Sequence, residues 1–157
     1  MLRPMQLSRF TDLGLRAMMR LAVGGAAEER VTVGLVARQV NASEHYVAKA
    51  VTKLAELGFV DSHRGRTGGI FLTDKGRAAT VGQIVRGLEG ASEVVDCSGE
   101  HPCPLATACR LRRMLAQAQE MFYRELDNYS LGDLVDDRTV RMLYMPGMPE
   151  RAGSYTR

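Results

Sequence analysis

Residues 43–72 read SEHYVAKAVTKLAELGFVDSHRGRTGGIFL, and the reading of this stretch decides the fold. Val47, Ala50 or Val51, Leu54 and Leu57 recur at three-to-four spacing, which predicts a helix capped by Ser43 and running to about Leu57. Its other face carries Ser43, His45, Tyr46, Lys49, Thr52 and Lys53, polar and partly basic. Gly58 suits the left-handed residue that closes such a helix. Phe59–Arg64 and Gly69–Thr73 then read as two short strands around the turn Gly65-Arg66-Thr67-Gly68. No helix begins at these glycines and no Gly-Lys-Ser/Thr follows, so the turn is not a nucleotide-binding loop.

Working outward, Thr32 can cap a short helix over 33–40, with Leu35 and Val36 apolar, which breaks at Asn41-Ala42. Two helices joined by a short turn, the second polar and basic on its outer face, form a helix-turn-helix. A hairpin directly behind it is a wing. On this reading His45 and Tyr46 reach bases, while Lys49, Lys53 and the wing residues Arg64 and Arg66 meet phosphates. Upstream, Phe10, Leu13, Ala17 and Leu21 mark a helix over 9–22. Asp12 stands near its positive end and four residues before Arg16, a spacing that allows an ion pair.

Downstream, a helix over 81–89 is predicted, capped by Thr80, apolar at Ile84, Val85 and Leu88, and ended by Gly90. A long helix follows from about Thr107 to Asn128, with Leu111, Met114, Leu115, Ala118, Met121, Phe122 and Leu126 on one stripe. That stripe exceeds what one winged helix needs to cover. Pairing with a second subunit buries it and supplies the two-fold symmetry of DNA half-sites. Ser130–Val135 reads as a last capped turn, and the residues beyond, with Pro146, Gly147, Pro149 and Gly153, as a flexible tail. The fold class expected is mainly α. Residues 1–80 form a winged helix-turn-helix domain, 81–136 a ligand loop with a dimerisation helix, and 137–157 the tail.

Between the two downstream helices lie all three cysteines, Cys97, Cys103 and Cys109, in the pattern C-x5-C-x5-C. Gly99, Pro102 and Pro104 keep much of this stretch out of regular structure. A structural zinc site brings its ligands in closer pairs, and a disulfide framework wants an even count. An iron–sulfur cluster accepts more widely spaced thiolates. Metal or cluster binding is favoured over three cysteines buried as small apolar residues, with the metal undecided.

An apolar fraction of 45% with 25% charged residues is ordinary for a globular soluble protein. Residues 1–80 carry 12 Lys or Arg against 7 Asp or Glu, and residues 81–157 carry 9 against 11, so the first half is the one suited to a polyanion. No apolar run is long enough for a transmembrane helix, and Met1-Leu2-Arg3-Pro4 lacks the apolar core of a signal peptide. A reducing cytoplasm is the expected location. No nucleophile–base pair stands out, so an enzyme is not expected.

The winged helix-turn-helix, the C-x5-C-x5-C loop and the long helix, in this order, together resemble the bacterial iron–sulfur regulators of the IscR/NsrR family over residues 6–136. The wing Arg64-Gly65-Arg66-Thr67-Gly68-Gly69-Ile70 looks like the family's own. One branch resembles itself in having a histidine three residues after the last cysteine; here that position is Arg112. The run Phe10-Thr11-Asp12-Leu13 is instead similar to the nitric-oxide-sensing branch. The resemblance implies a dimeric, cytoplasmic repressor on a double-stranded DNA operator, released by nitric oxide. It also implies a 4Fe-4S cluster held by Cys97, Cys103 and Cys109, with Asp12 supplied from the partner subunit, and Arg16, Arg110 and Arg112 around it. Arg113 stands beside them, and His101 competes with Asp12 as the fourth ligand. A redox or iron–sulfur-status regulator with a 2Fe-2S cluster, and a cluster or zinc protein that does not read DNA, remain as alternatives.

Overall fold

The computed structural model describes residues 7–23, 30–63, 65, 68–91 and 93–144. Its elements in chain order are α1 (Arg9–Val23), α2 (Val33–Gln39), α3 (Glu44–Glu56), β1 (Val60–His63), β2 (Gly69–Leu72), α4 (Asp74–Ala78), α5 (Val81–Glu89), α6 (Arg110–Leu126), a 3-10 turn (Gly132–Leu134) and α7 (Asp137–Tyr144). The mainly helical class with a two-stranded antiparallel wing is as expected.

The core forms where the predicted stripes meet. Leu13, Ala17, Met18 and Leu21 of α1 pack with Val36 and Ala37 of α2, Val47, Val51 and Leu54 of α3, and Val60, Ile70 and Leu72 of the hairpin. Burial of these faces is the main driving force for the domain. Thr32 caps α2, its hydroxyl accepting from Leu35 N at 3.2 Å. Asn41, at φ 52°, makes the turn into α3, a conformation that asparagine tolerates better than most residues. β1 and β2 pair with Val60 opposite Leu72 and His63 opposite Gly69. The segment before α2 joins the wing through Ile70 N and the Val31 carbonyl, 2.8 Å apart. A Cβ on Gly69 would stand 2.8 Å from that carbonyl, so the residue's lack of a side chain permits the approach.

Helix α4 was not expected. Its five residues include Gly76 and show no apolar period, so sequence alone reads it as part of a loop. Thr73 organises it: the hydroxyl accepts from Gly76 N at 2.9 Å and donates to the Gly58 carbonyl at 2.6 Å.

Helix α5 has the predicted cap, with Thr80 and Gln83 forming a reciprocal capping box. It lies between the first three helices and α6. Gly14 of α1 leaves space for Leu88, and Gly82 lets α5 approach the Tyr123 carbonyl and Asp127 of α6. Asp127 joins the two helices, accepting from the Thr80 hydroxyl at 2.7 Å and from Arg86 at 2.7 Å. Arg86 also reaches Glu120 at 3.1 Å and lies over the Tyr123 ring.

Residues 137–144, expected as the start of a flexible tail, are helical. The Asp136 carboxylate accepts from Thr139 N at 2.7 Å, which caps α7. The side-chain amide of Gln39 donates to the Leu143 carbonyl at 2.5 Å and returns the helix to α2. Residues 145–157 lie outside the described residues.

Candidate functional site

Two regions carry the predicted chemistry. The first is the outer face of α3. Ser43, His45, Tyr46 and Lys49 are exposed and Lys53 is half-buried. Ser43 occupies the N-cap position, but its hydroxyl makes no capping bond, contrary to the expectation of a side-chain cap. Its backbone has the extended conformation usual for an N-cap, but the hydroxyl is not bonded to a first-turn amide. The His45 and Tyr46 rings meet edge to face at 5.9 Å. Thr52 is committed to its own helix, donating to the Ala48 carbonyl at 3.0 Å, and Lys53 pairs with Glu56 at 3.2 Å.

At the wing, Gly68 N donates to the Gly65 carbonyl at 3.0 Å, and Gly65 has φ 110°. Glycine supplies that conformation readily. The predicted contacts Arg64 and Arg66 lie outside the described residues. Sequence reasoning missed Arg30, whose guanidinium donates to the Gly65 carbonyl at 3.2 Å. No local pattern joins two residues 35 positions apart, so there was no signal to find it.

The second region is the loop between α5 and α6. Cys97, Cys103 and Cys109 are free thiols, each half-buried. Cys103 N donates to the Cys97 carbonyl at 3.1 Å, so the loop folds back on itself. Cys109 caps α6, its sulfur accepting from Arg112 N at 3.4 Å. That capping starts α6 at Arg110 rather than at the predicted Thr107. Desolvation raises the Cys97 thiol above its ordinary value; Cys103 and Cys109 add to the rise and Arg112 opposes it. The three sulfurs therefore share one electrostatic neighbourhood. Among the described residues, however, no group of three or more His, Cys, Asp or Glu side chains is drawn in tightly enough to hold a single metal ion.

Of the other predicted residues, Arg112 meets the cysteines through its backbone N–H. His101 is exposed in the loop. Asp12 accepts from Arg16 Nε at 2.8 Å on the outer side of α1, the pairing expected from their spacing. Arg110 and Arg113 are exposed, and Arg112 pairs with Glu93.

Along α6 the apolar stripe is uncovered. Leu111 is 61% exposed, Met114 63%, Met121 71% and Phe122 42%. Leu126 departs from the prediction and turns toward α5, beside Val81, Val85 and the buried Tyr123. Tyr123 was missed as an anchor. Its spacing from Gln119, Leu126 and Asp127 marks a second face of α6, which the long apolar stripe obscured.

A helix pair with a two-stranded wing behind it defines a winged helix-turn-helix protein. The chain belongs to the Rrf2 family, described as iron-dependent transcriptional regulators, whose family model matches residues 7–137. It is 53% identical over 131 residues to the HTH-type transcriptional repressor NsrR of Streptomyces coelicolor, covering 83% of this chain and 88% of that one. Among solved structures it is similar to the T. potens IscR, with TM-score 0.64 and 25% identity, covering 85% of this chain and 88% of the other. It is also similar to CymR, the global cysteine regulator of B. subtilis, with TM-score 0.58 and 31% identity over 85% of this chain and 96% of that one. These proteins are regulators, in keeping with the expectation that the chain is not an enzyme. No helix among the described residues is long and apolar enough to cross a membrane.

Proposed function

We propose that this protein is a cytoplasmic homodimeric transcriptional repressor that binds operator DNA and responds to nitric oxide through an iron–sulfur cluster. The observation that carries the reading is the placement of three unpaired, half-buried thiols on one loop next to the uncovered stripe of α6. The similarity to a repressor at 53% identity supports the DNA-binding part.

The donor chemistry fits. Thiolates are the usual ligands of such clusters, and three of them stand free on one loop here. Cys97, Cys103 and Cys109 would hold a 4Fe-4S cluster, with Asp12 from the second subunit completing the set. When bound, the cluster supplies iron that reacts with nitric oxide. Arg110 and Arg113 extend from the amino end of α6, where a cation opposes the helix dipole. An anionic group held by the cysteine loop would offset that cost. The Asp12 carboxylate is a harder donor than thiolate and would be the ligand held least firmly by iron. It lies on α1, and α1 packs against α3. Loss of that ligand would therefore bear on the helix that supports α3.

Ser43, His45, Tyr46, Lys49 and Lys53 of the helix and Arg64 and Arg66 of the wing contact the DNA, His45 and Tyr46 at base edges and the four basic residues at phosphates.

The test is native mass spectrometry of protein purified without oxygen, followed by nitric oxide titration with operator-like DNA. A dimer with one four-iron cluster per subunit that releases DNA as nitric oxide is added supports the reading. A two-iron cluster, or release on oxidation alone, replaces the signal. Zinc or no metal overturns the cluster. In the same assay, Lys49→Ala is expected to lower the salt slope of binding by about one unit.

A further inference from the structure

The cysteine loop has its own closure. Glu93 stands at its entrance and Arg112 in the first turn of α6, and all three cysteines lie between them. Arg112 Nε donates to Glu93 Oε2 at 2.6 Å, and Nη2 donates to Oε1 at 2.5 Å. The remaining nitrogen, Nη1, donates to the Ala106 carbonyl at 3.3 Å. The backbone N–H of the same residue meets Cys109 Sγ at 3.4 Å. One arginine thus grips the loop at its entrance, its middle and its end.

A lone exposed ion pair contributes little. A guanidinium forked on a carboxylate is different in kind, because its planar geometry fixes orientation as well as distance. Holding a loop's ends together also removes the entropy of gathering them later. Arg112 has no lone pair for a metal, so its part is positioning.

We infer that Glu93 and Arg112 form a clasp that keeps the cysteine loop closed around its three thiols in the metal-free protein and slows loss of the group those thiols hold. The second half of this inference rests on the cluster reading proposed above; the first half does not.

The full-length chain is compared with Arg112→Ala, Arg112→Lys and Glu93→Ala. In one arm the reduced, metal-free proteins are treated with iodoacetamide and the alkylation rate of each cysteine is followed by mass spectrometry. In the other, the proteins are reconstituted with iron and sulfide without oxygen, and cluster release to a chelator is followed by absorbance. Arg112→Ala and Glu93→Ala are expected to alkylate faster and to release the cluster about tenfold faster, the scale seen when groups supporting metal ligands are removed. Arg112→Lys is expected to fall between them and wild type, since an ammonium cannot fork. Wild-type rates in both alanine variants overturn the clasp, and wild-type behaviour of Arg112→Lys overturns its forked geometry. Faster alkylation with unchanged release overturns the second half. If the wild-type chain takes up no cluster, the reading of the preceding subsection falls, while the alkylation rates still decide the clasp.

Discussion

The first three helices and α6 use the same kind of residue in opposite ways. Ala17, Met18, Val36, Val47 and Leu54 have no exposed surface, and each faces a neighbour from the same chain. Leu111, Met114 and Met121 lie on a helix just as regular, yet stand in solvent. Apolar surface removed from water stabilises by about 25 cal/mol per Å². The first region therefore completes itself, while α6 keeps a face that gains this energy only when something covers it. Large apolar patches of this kind mark interaction sites. The thiols beside that face repeat the contrast, standing half-buried and unpaired where the core is closed.

The largest effect that would test this comparison lies in the core. Leu54→Ala is expected to lower the unfolding free energy by about 3 kcal/mol, measured by urea denaturation. A loss below a few tenths would mean that the first region is not the self-sufficient half. On the other side, Met121→Glu is expected to leave the secondary structure of each subunit intact and to weaken self-association by at least about tenfold, read by sedimentation. An unchanged association constant would assign the exposed stripe to some other partner.

The smallest effect sharpens the boundary between the halves. Hydrogen bonds from Thr80 and Arg86 hold the Asp127 carboxyl below its ordinary value. A depressed carboxyl stabilises the fold above its unfolded pKa, and the contribution disappears as the pH falls through the folded one. Docking of α5 on α6 should therefore weaken as the pH drops below about 4. Asp127→Asn should lack that part of the acid sensitivity, a difference under about 1 kcal/mol because the pair is partly exposed. Urea midpoints measured across this range check it, and identical curves would remove Asp127 as the link.

Much of the arrangement was legible in the chain. The stripe through Val47, Val51 and Leu54 and the glycines of the wing specified the helix-turn-helix and its hairpin, because side-chain periodicity and left-handed turns are local properties. So were the Asp12–Arg16 pair and the Thr80 cap. The spacing of Cys97, Cys103 and Cys109 placed all three on one loop for the same reason. What stayed hidden was non-local or small. Helix α4 has five residues and no period, and α7 is tied in through Gln39, 104 positions from its partner.

By itself, then, the sequence determined the longer helices of the first region, the hairpin behind them, the capped helix α5, and which residue types gather in the cysteine loop. The tertiary structure decided that Arg112 closes on Glu93 and Ala106, that Leu126 turns inward beside Tyr123 while Met121 turns out, and that Arg30 meets the wing. The division has a physical cause. Caps, turns and apolar periods are set within a few residues of chain, whereas ion pairs and the sorting of one helix's two faces depend on which distant segments come to lie beside them.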